Sequence, residues 1–118
     1  MIERRRHARR AIQYRVTYES ADVHGKSVAQ DIGLVVNVSE KGMLLESAQP
    51  IHAATVRVIL PAGDHQPLQV TGDVVYSIPV PPDRYRTGIV FHDSLEKSSG
   101  AVARLLESAT AGPAAAVE

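Results

Sequence analysis

Cysteine is absent from this 118-residue chain, which excludes disulfides and thiolate metal sites and points to a reducing compartment. Aromatic residues are few: Phe91 and four tyrosines make up the whole set. Single-strand nucleic-acid binders stack bases on aromatic rings, so this supply argues against that class. No apolar run approaches the roughly 20 residues that span a bilayer. The N-terminal arginines also lack the apolar stretch that a signal peptide carries behind them. Together these absences predict a cytoplasmic protein. Net charge is missing as well, with 13 Lys and Arg against 13 Asp and Glu. That zero hides an asymmetry, because residues 1–10 hold five Arg and one Glu while the remainder holds eight basic and twelve acidic residues. Positive charge gathered in one place suits a small anion better than a long polyanion.

Enzymatic machinery is also lacking. His7, His24, His52, His65 and His92 show no paired metal-ligand spacing, so no metal site is expected. Ser39 has no base nearby in sequence and no GxSxG elbow around it, and the carboxylates are scattered singly. Asn37-Val38-Ser39 matches a glycosylation sequon, which carries no meaning without a secretory signal. No cofactor and no catalytic residue is predicted.

What is present is a run of alternating segments large enough for one domain. Residues 1–10 have no apolar periodicity and read as an arginine-rich arm outside the main sheet. From Ile12 the pattern is strict, with Ile12, Tyr14, Val16 and Tyr18 alternating against Gln13, Arg15, Thr17 and Glu19, the mark of a half-buried strand. Ser20 to Lys26 reads as a turn. A second strand runs from Ser27 to Val38, with Gly33 suggesting a bulge or bend. A third covers Gly42 to Ser47, and Val56, Val58 and Leu60 share one face of a fourth.

Leu68 to Ile78 predicts a fifth strand with Leu68, Val70, Val74, Tyr76 and Ile78 inward and Gln69, Thr71, Asp73 and Ser77 outward. Gly72 marks a bend that lets the sheet close. Arg84 to His92 forms the last strand. From Asp93 the period changes, and Leu95, Val102, Leu105 and Leu106 line one side of a helix that Asp93 or Ser94 could cap and that Gly100 weakens. The expected fold is mainly β, a six-stranded antiparallel barrel with a C-terminal helix over one end. The division is an arm at 1–10, barrel plus helix at 11–107, and a tail without fixed structure at 108–118.

The central motif is Asn37-Val38-Ser39-Glu40-Lys41-Gly42, set between Leu34-Val35-Val36 and Met43-Leu44-Leu45. Period-two alternation turns Asn37 and Ser39 one way and Val38 into the core, and Gly42 follows at the turn. Short polar side chains beside open backbone form a ligand platform in outline. Its partner is the arm, where Arg4, Arg5 and Arg9 form an RRxxxR string some thirty residues upstream of NxSxxG. That pair resembles the signature of PilZ domains, bacterial receptors for the second messenger cyclic di-GMP. Gly88 to Phe91 is similar to a Gly-x-x-Phe strand of the same family.

The resemblance implies a ligand-binding module that signals through contact with a downstream protein. Arg4, Arg5 and Arg9 would hold phosphates and a guanine edge, Asn37 and Ser39 would bond a guanine, and Gly42 would leave room for the base. Chemistry agrees, because the planar arginine fork pairs bidentately with phosphate oxygens and with guanine O6 and N7. Many family members carry Asp where this chain has Asn37; Asn keeps the carbonyl acceptor and loses the charge. The alternative is a PilZ-like protein-interaction domain that binds no nucleotide, and retention of the arginines and of Asn37, Ser39 and Gly42 favours the receptor.

Overall fold

The computed structural model describes residues 9–61, 67–92 and 99–111. Six strands, β1 (Arg10–Ala21), β2 (Ser27–Val38), β3 (Gly42–Ser47), β4 (Thr55–Leu60), β5 (Leu68–Val80) and β6 (Arg84–Phe91), precede one helix, α1 (Ser99–Ala111). The strands close into an antiparallel barrel in the order β1-β2-β3-β6-β5-β4. The fold class read from the alternation is the fold observed.

Local chemistry explains the connections. Asp22 accepts bonds from the backbone N–H of His24 and Lys26 through one carboxylate oxygen, both at 2.9 Å, and Gly25 takes a positive φ of 81°. An Asx turn followed by glycine is the turn that such residues favour. Inside the barrel Val16, Val35, Val38, Met43, Leu45, Val56, Val58, Leu60 and Ile89 are buried together with Ala101, Val102, Leu105 and Ala109 of α1. The helix therefore closes the end of the barrel where β1 and β5 begin. Each such buried Val or Leu contributes about 1.5–3 kcal/mol.

Three local expectations are corrected. In β5 the inward set holds to Val74 and then reverses. Val75 is an extra residue between the pairs Val74–Ile89 and Tyr76–Gly88, so Tyr76 and Ile78 turn outward at 42% and 49% exposure while Ser77 turns in. One inserted residue exchanges the faces of everything after it. Ser77 is satisfied there, accepting from the Ile51 N–H at 3.1 Å and sharing a 2.9 Å bond with the Thr87 hydroxyl.

Gly33 is not a bulge, since the β1–β2 register runs unbroken through its pairing with Val16. Its need for glycine is space, because a Cβ would lie 3.0 Å from Leu45 Cδ1 and 3.2 Å from the Glu46 carbonyl. The strand boundary also shifts, with β1 starting at Arg10 and α1 running through Ala111, past the division expected at 107. The proposed caps Asp93 and Ser94, and Leu95, lie outside the described residues, as do Arg4 and Arg5.

Candidate functional site

The site is built where the first strand enters the barrel. In the β1–β2 register Arg10 lies opposite Val38 and Ala11 opposite Asn37, so the chain comes in beside the β2–β3 turn. Arg9 is then carried to Asn37. Its Nη1 donates to the Asn37 Oδ1 at 3.2 Å, across 28 residues of sequence. Arg9 is exposed and Asn37 half-buried. One guanidinium nitrogen is occupied by this bond, which leaves the remaining donors of the fork and the Asn37 amide N–H groups open to a ligand.

Ser39 and Gly42 sit differently from Asn37. Ser39 is 4% exposed, its N–H donating to the Gly42 carbonyl at 2.9 Å and its Oγ accepting from the Lys41 N–H at 3.2 Å. The Lys41 carbonyl in turn accepts from the Phe91 N–H at 2.9 Å, tying the turn to β6. At Gly42 a Cβ would stand 2.2 Å from the Ile89 carbonyl oxygen, so only glycine allows β3 and β6 to approach here. These two residues build and close the turn, and Asn37 is the motif side chain presented outward beside Arg9.

Sheet pairing extends this outward face. Asn37 pairs with Leu44, Leu44 with Gly88, and Gly88 with Tyr76, so the four share one row across β2, β3, β6 and β5. Directly paired residues point to the same face of a sheet. Three strand spacings put Tyr76 roughly 14 Å from Asn37 along the surface. Gly88 is bare because the Tyr76 ring lies over it: a Cβ there would meet Tyr76 Cε2 at 2.5 Å. The row thus offers amide and guanidinium donors at one end and an exposed aromatic ring at the other. Sequence reading missed Tyr76, since its outward aim depends on the Val75 bulge. The next outward row pairs Glu46 with Arg86, at 3.2 Å, and Arg84, two residues along β6, reaches the same carboxylate at 3.6 Å.

Inside the wall, burial pushes the Tyr18 phenol above its ordinary value of 10.0, the Ser47 hydrogen bond opposes this, and the Asp31 carboxylate adds to it. Among the described residues no three His, Asp or Glu side chains gather as a metal site, and no helix is long and apolar enough to cross a membrane.

Comparison with known proteins places this geometry. The family model described as PilZ domain matches residues 3–108. No curated protein matches the sequence significantly. Among solved structures, the Bacillus subtilis inhibitor of motility MotI/DgrA aligns with a TM-score of 0.63 at 11% identity, covering 90% of this chain and 51% of that one. The K. pneumonia MrkH–c-di-GMP complex aligns at 0.61 and 14% identity, covering 91% and 52%. The PilZ domain of YcgR from Escherichia coli with c-di-GMP aligns at 0.55 and 12% identity, covering 89% and 93%. The chain thus spans about half the length of the first two and nearly all of the third. At these identities the likeness is one of fold.

Proposed function

This chain belongs to the PilZ domain family, and on that premise we propose that it is a receptor for cyclic di-GMP that passes the signal to a partner protein. The observation that carries the reading is the Arg9–Asn37 contact, which joins the arm to the motif at one corner of the barrel. Cyclic di-GMP presents two phosphates and two guanine edges, and the exposed guanidinium of Arg9 matches either. Arg4 and Arg5 stand four or five residues before Arg9, a reach of at most about 18 Å of chain. They meet the ligand from the solvent side while Asn37 bonds a guanine from the barrel side. Ser39 and Gly42 act by holding the turn that presents Asn37, and the Tyr76 ring offers a face to a base.

In this reading the arm is the signal. Clustered like charges repel until an anion neutralises them, so the ligand closes the arm over the barrel and creates a surface for the partner. The module binds and reports; it catalyses nothing.

A calorimetric titration of the full chain with cyclic di-GMP tests the reading. Saturable binding that weakens with added salt is expected, since a dianion meets arginines and screening acts within about 8 Å at physiological ionic strength. GMP and the linear dinucleotide, which lack the preorganised ring, should bind far more weakly. Absence of heat for cyclic di-GMP would leave the interaction domain that binds no nucleotide as the reading.

A further inference from the structure

Beside the surface that the closed arm offers the partner, the outer wall of β1 and β2 supplies a second one. β3 pairs with β2 only from Leu34 to Val38, so among the described residues the side of Ser27–Ile32 facing away from β1 has no neighbouring strand. All six of these residues are exposed, with Val28 at 56% and Ile32 at 59%. Beside this edge two grooves of about 280 and 230 Å³ share Arg15 and Ile32. The first continues past Leu34 to Arg84, the second past Ile59 to Pro61. Among the described residues neither groove is lined by Asp or Glu, while Arg15 and Arg84 both contribute to the walls. Arg84 shares the Glu46 carboxylate with Arg86. Positive charge therefore exceeds negative charge along a trough with an aliphatic floor.

We propose that this edge and trough dock an extended segment of the partner protein that brings carboxylate and aliphatic side chains by turns to one face, at every second position. An unpaired strand edge offers backbone donors and acceptors to an added strand, and pockets beside it select alternate side chains. Aliphatic side chains of the segment rest on Ile32 and Leu34, and its carboxylates meet Arg15 and Arg84. Guarding of the edge makes the docking selective. Asp31 Oδ1 accepts the Ile32 N–H at 2.7 Å, and an irregularity in the β1–β2 register lies between Ala29 and Ser27. Both features discourage indiscriminate strand pairing. An incoming carbonyl must displace Asp31, and a segment that brings its own carboxylates to the arginines compensates for that loss. Leu34 lies three residues from Asn37 along β2, so docked segment and nucleotide occupy neighbouring stretches of one strand.

The proposal takes partner contact from the receptor reading, but its test is independent of nucleotide. A blocked nonapeptide with glutamate and valine by turns at every second position and serine between them, and its counterpart with lysine in place of glutamate, are titrated into the full chain by fluorescence anisotropy and by amide chemical-shift mapping. The glutamate peptide should bind at least about tenfold more tightly than the lysine peptide, shift Arg15, Ile32 and Leu34, and protect the Ile32 amide from exchange. Arg15→Ser and Ile32→Ser, both at exposed positions, should each reduce its affinity while melting and cyclic di-GMP titration stay unchanged. Equal binding of the two peptides, or binding indifferent to both variants, overturns the proposal. So does concentration-dependent self-association through Ile32 without peptide, which would make a second copy the occupant. Cyclic di-GMP shifting Arg15 and Ile32 rather than Arg9 and Asn37 would reassign the trough to the nucleotide and likewise overturn it.

Discussion

The Arg9 guanidinium donates to the Asn37 side-chain carbonyl at 3.2 Å, and the antiparallel pairing of β1 with β2 brings the two together from positions 28 residues apart. Arg9 is exposed and packs in no core, so Arg9→Ala should leave folding nearly unchanged, within about 0.5 kcal/mol. Its loss removes a charge-assisted contact to the nucleotide worth about 1.5–3 kcal/mol, a weakening of roughly 10- to 150-fold. Ser39→Ala should cost less affinity and more stability, because its hydroxyl holds the Lys41 N–H in the turn. A stability loss of about 0.5–1.5 kcal/mol is expected. Parallel calorimetry and urea melts check the ranking, which fails if Ser39→Ala loses more affinity than Arg9→Ala.

Gly42→Ala should damage the barrel itself. The added methyl would press on the Ile89 carbonyl from 2.2 Å, and strands β3 and β6 must separate to admit it. Overpacking of this kind costs about 1–3 kcal/mol or more. The denaturation midpoint without ligand should therefore fall, and an unchanged midpoint would show that the approach at Gly42 is not tight.

Tyr76 should matter for the face it presents. Tyr76→Phe keeps the ring over Gly88 and should retain nucleotide affinity, whereas Tyr76→Ala removes a stacking surface worth roughly 1–3 kcal/mol per base. Comparing the two in titrations separates ring from hydroxyl. Equal affinities for wild type and Tyr76→Ala would place the ligand off this row.

Tyr18 sets an alkaline limit on the fold. Burial raises its pKa in the folded state above the ordinary 10.0, so the folded protein favours the neutral phenol. The contribution is fully present below the unfolded value and is lost as pH rises through the higher folded value. Urea midpoints measured from pH 8 to about 11.5 should fall more steeply for wild type than for Tyr18→Phe. Parallel curves would contradict the assignment.

Strand alternation made most of the fold legible. Val16 and Tyr18 in β1, and Val56, Val58 and Leu60 in β4, are buried as their period implies, because a half-buried sheet forces period two on the sequence. Tyr76 and Ile78 were not legible as outward residues. A bulge is set by how two strands pair, and nothing in Val75 itself announces one. Gly33 and Gly42 announce themselves as glycines, yet their reasons are distant groups, the Glu46 and Ile89 carbonyls, that only the closed barrel brings near. The motif likewise divides in a way that spacing hides: Asn37 faces outward in a paired row while Ser39 is 4% exposed and spent on the turn.

The most direct measurement is a nitrogen-edited magnetic-resonance titration of the full chain with cyclic di-GMP, following the Arg9 Nε–H, the Asn37 side-chain amide and the backbone amides of residues 4–10. The account predicts that the Arg9 and Asn37 signals shift together and saturate at one ligand concentration, and that exchange of the arm amides slows at the same point. Saturable binding that leaves both side chains unmoved, or moves them while arm exchange stays unchanged, would contradict the clamp that joins arm to motif.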